Sequence, residues 1–277
     1  FYNMELPYVQ DLPKGGFSYD NCLRNKALTE SNTLKAGPIR HMKTGTTICA
    51  AIFKDGVVMA ADTRATGGSI VGDKNCEKIH YMAPNIRVCG AGTAADCDHV
   101  SEMLRRELEI HRFNTRTENR VQMLVGKLAS KSFQYQGHLG THLIIGGVDV
   151  KGPQLFEVSN DGNYFAFPFI TMGSGCLAAM AIMETQYKED MTEEECKNMC
   201  IAAIEAGIYN DLGSGSNVDC CVIKKGKVDM YRNIKHDNKK VYSKPGGYKF
   251  DKDRVQVLNE YKMKLVVEDG AQPMDLS

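Results

Sequence analysis

Strands carrying small or apolar residues on both faces constrain this chain more than any other feature. Residues 46–53 and 57–61 read as two strands around the turn Lys54-Asp55-Gly56, which predicts a hairpin. Residues 78–82 and 86–89 flank Ala83-Pro84-Asn85 as a second hairpin. Strands of this composition suit sheets covered on each side. Two helices follow, marked by Val100, Met103, Leu104 and Leu108 in the first and by Val121, Leu124, Val125 and Leu128 in the second. Strands return at 143–148, 155–158 and 169–172, and a third helix opens after Gly173-Ser174-Gly175 and runs through Met183. Thr192-x-x-Glu195 is a capping box for a fourth helix with Cys196, Met199, Cys200, Ala203 and Ile204 on its apolar face. Residues 218–223 and 228–231 close the pattern as a last hairpin around residues 224–227. Strands, two helices, strands, two helices, strands: the order implies an α+β chain with two sheets stacked between helical layers.

The ends differ from this middle. Residues 1–45 show little apolar periodicity and read as a tail. From Asn233 the chain is charged and poorly periodic, with Lys239, Lys240 and Pro245-Gly246-Gly247, and reads as an arm. The expected division is therefore 1–45, 46–232 and 233–277. Residues 1–16 lack the apolar core of a secretory signal, and no stretch approaches the roughly 18 apolar residues of a membrane helix. Lys and Arg number 34, as do Asp and Glu, a balance that argues against a nucleic-acid partner. Of ten cysteines, Cys49, Cys89, Cys176, Cys220 and Cys221 fall inside apolar runs, and none forms a zinc-type pair. They read as buried free thiols in a reducing compartment, cytosol or nucleus, and neither a metal nor a cofactor is expected.

A Gly-x-Ser-x-Gly elbow and an H-E-x-x-H pair are both missing. His80, in a strand, and His99, in a helix, read as structural or pocket residues rather than general bases. The junction Lys43-Thr44-Gly45-Thr46-Thr47 offers another nucleophile. A threonine hydroxyl needs a neighbouring base. Cutting between Gly45 and Thr46 frees an amine on the same residue, with a pKa of about 7.7–8.0. Glycine before the cut leaves no side chain in the way. Alone, Gly-Thr-Thr also fits a plain strand start. Gly90-x-Gly92-x-x-Ala95 matches a dinucleotide-binding fingerprint, although the preceding hairpin is the wrong context for one.

The surrounding blocks decide between these readings. Gly45-Thr46-Thr47-Ile48 and Asp55-Gly56-Val57-Val58-Met59-Ala60-Ala61-Asp62-Thr63-Arg64 resemble the opening of proteasome beta subunits. The resemblance continues through Asp73-Lys74-Asn75-Cys76-Glu77-Lys78-Ile79-His80, Cys89-Gly90-Ala91-Gly92-Thr93-Ala94-Ala95-Asp96, Met172-Gly173-Ser174-Gly175 and Asn210-Asp211-Leu212-Gly213-Ser214-Gly215-Ser216-Asn217. Gly16-Phe17-Ser18-Tyr19-Asp20-Asn21-Cys22 is similar to the propeptide of the trypsin-like type.

The resemblance implies the N-terminal nucleophile hydrolase fold, a four-layer αββα sandwich of two antiparallel sheets between helix pairs. It implies a threonine endopeptidase made as an inactive precursor, which removes its own propeptide at Gly45–Thr46 and prefers to cut after basic residues. Thr46 matches the nucleophile, Asp62 and Lys78 the charged pair beside it, and Ser174, Asp211 and Ser214 the group holding the terminal amine. The backbone N–H of Gly92 matches the oxyanion donor. Thr66, Gly92 and Ala94 match positions that pair with the substrate backbone. Ala65, Cys76, His80, Gly90 and Asp98 would line the primary pocket, with Gly90 widening it and Asp98 receiving a basic side chain. Asp98 also fits a helix-start acid, and Asp211 and Ser214 also fit helix-end caps. Implied partners are other alpha and beta subunits in stacked heptameric rings, unfolded polypeptide substrates and assembly chaperones, with an arm from Asn233 embracing a neighbour. A non-catalytic assembly subunit and a small-molecule amidase of the same fold are the competing readings.

Overall fold

The computed structural model describes residues 19–30, 44–236, 244, 246–247 and 258–264. Most of the expected propeptide and of the expected C-terminal extension lies outside the described residues.

Strand β1 (Thr47–Phe53) turns back into β2 (Gly56–Asp62), as the hairpin signal predicts. They sit in a five-stranded antiparallel sheet of order β10-β1-β2-β11-β12, completed by β10 (Phe169–Gly173), β11 (Asn217–Lys224) and β12 (Lys227–His236). The second sheet has the order β5-β6-β7-β8-β9. It contains β5 (Ile79–Ala83), β6 (Ile86–Gly92), β7 (Thr141–Asp149), β8 (Gly152–Val158) and β9 (Tyr164–Ala166), all antiparallel. Helices α2 (Ala94–Thr115) and α3 (Val121–Gln134) cover one sheet, and α4 (Cys176–Gln186) and α5 (Glu193–Asn210) cover the other.

Strand alternation sorts the core into three layers. Cys49, Ala51 and Phe53 of β1 pack towards α4 and α5, while Ile48 and Ala50 face the other sheet. Val58 and Ala60 of β2 follow the first group, and Val57, Met59 and Ala61 the second. In the second sheet Ile86, Val88, Leu143 and Ile145 face α2 and α3, and Cys89, Ile144 and Leu155 face inward. A single-residue slip would exchange the two faces of a strand. Here both faces are apolar, so register rests on residue shape and on the hairpin turns. Burying each large side chain fully stabilises by roughly 1.5–3 kcal/mol.

The capping box forms as expected. Thr192 Oγ1 accepts from Glu195 N–H, and Glu195 Oε2 accepts from Thr192 N–H at 2.9 Å. Four features go beyond the sequence reading. Tyr19–Glu30 forms a helix, α1, inside the segment read as a tail, and its described side chains are exposed. The short hairpin β3 (Ala65–Gly67) and β4 (Ile70–Asp73) and the strand β9 carried no apolar signal pointing inward. Strand β12 extends to His236, where it pairs with Asn217, so pairing resumes past Asn233 after a register shift between Val218 and Cys220. The chain forms two compact units, Phe1–Asn238 and Lys239–Ser277. In the second unit the described residues 258–264 have no regular secondary structure.

Candidate active site

Thr46 lies immediately before β1, where several element ends meet. Asp62 ends β2, Lys78 precedes β5, Ser174 separates β10 from α4, Asp211 follows α5, and Ser214 precedes β11. Pairing of β1 with β10 and of β2 with β11 brings Thr46, Asp62, Ser174 and Ser214 together although they are far apart along the chain, and Lys78 reaches them from the start of β5 in the other sheet.

On one side Lys78 Nζ donates to Asp62 Oδ1 at 2.7 Å, to Thr46 Oγ1 at 3.1 Å and to the Gly45 carbonyl oxygen at 3.2 Å. Asp62 is fully buried and Lys78 almost so. Its carboxylate also accepts from the N–H groups of Thr47, Gly215 and Arg64, at 2.9, 3.2 and 3.3 Å. Burial pushes the Asp62 carboxyl above its usual value, and the Lys78 ammonium and the N–H groups of Thr47 and Gly215 pull against it. Such a pair is tolerated in the interior only because its remaining positions are bonded.

On the other side the Thr46 N–H donates to Ser174 Oγ at 3.1 Å. Ser174 and Ser214 each donate to Asp211 Oδ2 at 2.6 Å. With its single hydrogen on Asp211, Ser214 Oγ must accept from the buried Thr47 hydroxyl 2.7 Å away. Partial burial raises the Asp211 carboxyl, but the Ser174 and Ser214 hydroxyls and backbone N–H groups outweigh it and hold it below its ordinary value. Thr47 took no role in the sequence reading. Nothing local reveals that its hydroxyl meets one at position 214.

Residues Thr44 and Gly45 lie along the same cleft. Thr44 N–H and Oγ1 donate to the Gly92 carbonyl at 3.2 and 3.1 Å, forming an isolated antiparallel bridge. Gly45 N–H donates to Thr66 Oγ1 at 2.9 Å. The Gly45 carbonyl oxygen accepts from Thr46 Oγ1 at 2.7 Å and from Lys78, so its described partners are these rather than the Gly92 N–H. Gly92 ends β6 with φ +123°, where a Cβ would fall 2.3 Å from the Gly140 oxygen. Gly45 has a steric reason beyond the one read from sequence. A Cβ there would lie 2.3 Å from the Gly213 Cα.

Ala65, Cys76, His80, Gly90, Ala94 and Asp98 line one pocket with Lys78 and Thr46. His80 Nε2 stands 3.7 Å from the exposed Asp98 carboxylate. Burial lowers the His80 imidazole while Asp98 and Glu77 oppose it, and burial raises the Cys76 thiol with Lys78 opposing. Gly90 faces Cys97, whose Cβ would lie 3.1 Å from an added Cβ. Among the described residues Ala94 makes no hydrogen bond to Thr44 or Gly45, and it opens α2 at the pocket wall. All residues read from sequence as site residues therefore converge, in one cluster around Thr46 and one adjoining pocket. The Gly90–Ala95 glycine pattern sits on a strand antiparallel to both neighbours, which removes the context a dinucleotide site needs. No group of three or more His, Cys, Asp or Glu suited to a metal occurs among the described residues.

Comparison with known proteins shows the family. A family model described as proteasome subunit matches residues 42–223. Proteasome subunit beta type-7-B of Arabidopsis thaliana is 52% identical over 246 residues, covering 89% of this chain and 88% of the relative. Proteasome subunit beta type-7 of Dictyostelium discoideum is 44% identical over 265 residues, covering 94% and 98%. Proteasome subunit beta type-10 of Mus musculus is 44% identical over 257 residues, covering 92% and 93%.

Proposed function

The chain belongs to the proteasome subunit family as a beta subunit of the core particle, and from that premise we propose that it is a threonine endopeptidase with Thr46 as nucleophile. The observation that carries the reading is the ammonium of Lys78 set 3.1 Å from Thr46 Oγ1 and 3.2 Å from the Gly45 oxygen, inside a buried pair with Asp62. A cation there stabilises negative charge developing on either oxygen, and exclusion of water strengthens the effect.

The precursor reading follows from Thr44 and Gly45. They occupy the cleft through a single antiparallel bridge, held by Gly92 and Thr66, and place the Gly45 carbonyl against the Thr46 hydroxyl. In this form the Thr46 nitrogen is an amide and accepts no proton. Attack of Thr46 Oγ1 on the Gly45 carbonyl carbon forms an ester as the Gly45–Thr46 C–N bond breaks, with the hydroxyl proton passing to the leaving nitrogen. Hydrolysis of that ester by water releases residues 1–45 and leaves the amine free. Ser174 holds that nitrogen at 3.1 Å, where the amine takes the proton of the Thr46 hydroxyl in later turnovers. Once the leader has gone, a substrate runs where it ran, between Thr66 and Gly92 and past Ala94. The Gly92 N–H then donates to the carbonyl oxygen under attack.

Cleavage after Arg or Lys is supported by the pocket of Ala65, Cys76, His80, Gly90 and Asp98, with the exposed carboxylate at its mouth. We assign residues 46–232 to the peptidase domain and 233–277 to an arm on a neighbouring subunit. The working unit is proposed to be stacked seven-membered rings of alpha and beta subunits, built with chaperones, degrading unfolded polypeptides in cytoplasm and nucleus.

Thr46→Ala in assembled particles tests the reading. Mass spectrometry should find the leader still attached, and hydrolysis of arginyl peptides assigned to this subunit should vanish. A chain beginning at position 46 in the variant, or undiminished arginyl cleavage, overturns it.

A further inference from the structure

Two cavities meet at the bridge between Thr44 and Gly92, and both count these residues in their walls. One contains Lys78 and the proposed primary pocket. The other, of about 640 Å³, runs from Gly173 and Ser174 past Thr93 to His142 and Glu157. We propose that this second cavity receives the substrate residues following the cut bond and selects a basic side chain there through Glu157. The inference rests on the peptidase reading of Thr46 and extends it to the leaving side of the substrate.

Direction along the cleft comes from the leader. Its Gly45 carbonyl oxygen lies at Lys78, whereas the Thr46 nitrogen, the first atom beyond the cut bond, lies 3.1 Å from Ser174 Oγ. The chain beyond a cut bond is therefore led towards Ser174, in the wall of the second cavity. Thr93 stands further along that wall with a buried hydroxyl that has no partner among the described residues.

Glu157 sits where strand pairing would place an apolar residue. It is opposite Ile144, which is opposite Cys89, and it shares a face with Leu155, two residues earlier in β8. Ile144, Cys89 and Leu155 are all in the core between the two sheets. At the open end of that same face the residues become Ala91, His142 and Glu157, so the core face turns polar where it lines the cavity. Glu157 is half-buried, and among the described residues no hydrogen bond or ion pair engages its carboxylate. A carboxylate on such a face is stable when solvated by the cavity or met by a cation. A lysine or arginine of the leaving segment supplies the cation, and a glutamate there would meet like charge.

The test uses assembled particles carrying wild type, Glu157→Gln or Glu157→Lys. Internally quenched peptides share Arg before the cut bond and carry Lys, Ala or Glu at the first or second position after it. Thr46→Ala particles supply the background from other subunits. In wild type the Lys peptides should exceed the Glu peptides in kcat/KM by about 3- to 10-fold. Glu157→Gln, close in shape, should bring that ratio near one, and Glu157→Lys should reverse it. A ratio unchanged by both replacements in particles whose chains begin at Thr46 overturns the assignment of Glu157 and leaves the peptidase reading standing. Absence of any Thr46-dependent cleavage after Arg in wild type removes the peptidase reading, and this inference with it.

Discussion

On the hydroxyl side of Thr46 an ammonium and a carboxylate, Lys78 and Asp62, are sealed from solvent. On its nitrogen side Ser174 is exposed, Asp211 is half-buried and Ser214 is buried. In the proposed peptidase the first flank delivers a full charge to the reacting oxygen, and a low-dielectric setting makes that charge effective. The second handles a nitrogen through neutral hydroxyls around one carboxylate, within reach of water. Its hydroxyls can rotate, so it can exchange protons, whereas the buried pair has every described position committed. The contrast separates stabilising charge from moving protons. Each flank has the environment its task needs.

The largest break is expected on the buried side. Lys78→Met leaves Asp62 charged and unpaired in the interior, which destabilises by about 3–5 kcal/mol. Removing the cation should also slow leader removal by roughly 1,000-fold. Adding Asp62→Asn to Lys78→Met removes the stranded charge and keeps an acceptor for the N–H groups of Thr47 and Gly215. Thermal unfolding should then recover towards wild type while the leader stays attached. Recovered processing in the double variant would mean the pair serves folding rather than chemistry, and the contrast fails.

A smaller effect is expected on the open side. Ser174→Ala removes the acceptor of the Thr46 N–H, yet Asp211 keeps the Ser214 hydroxyl and the Gly213 N–H at 3.1 Å. Stability should change by about 1 kcal/mol or less. Arginyl-peptide hydrolysis by matured particles should fall roughly 10- to 100-fold through lost positioning. A stability loss matching that of Lys78→Met would erase the distinction between the flanks.

Much of this was legible in sequence because it was written locally. The Lys54-Asp55-Gly56 turn, the Thr192 capping box and the helical spacing of Val121, Leu124, Val125 and Leu128 are each contained in a few residues, and each formed. The β3–β4 hairpin was not legible, because its apolar residues Ile70 and Val71 point to solvent. Nor was α1, whose apolar residues Tyr19, Leu23 and Leu28 lie exposed rather than against the core. In the site, Asp62, Lys78 and Ser174 were reached through the resemblance, since no local pattern joins residues so far apart in the chain. Thr47 and Glu157 were missed for the same physical reason. Their importance lies in contacts and faces created only when distant strands pair. Gly45 is legible as the glycine before the cut, but its close approach to Gly213 depends on the fold.

The smallest expected effect concerns pH and bears on the open flank alone. Asp211 is held below the ordinary carboxyl value of 3.8, with partial burial opposing and the Ser174 and Ser214 hydroxyls prevailing. The folded chain therefore takes up this proton less readily than the unfolded chain. The stability Asp211 supplies is complete above its unfolded pKa and is lost as pH falls through the depressed folded value. Asp211→Asn cannot titrate, so the stability gap between wild type and the variant should be flat from pH 5 to pH 8 and shrink below about pH 4. Asp211 stays ionised throughout the neutral range and contributes no limb to the pH profile there. The acid limb of arginyl-peptide hydrolysis should then track the Thr46 amine, and Asp211→Asn should lower the rate without moving that limb. A limb displaced by Asp211→Asn would assign the titrating proton to the carboxylate network, and the amine would no longer be the base.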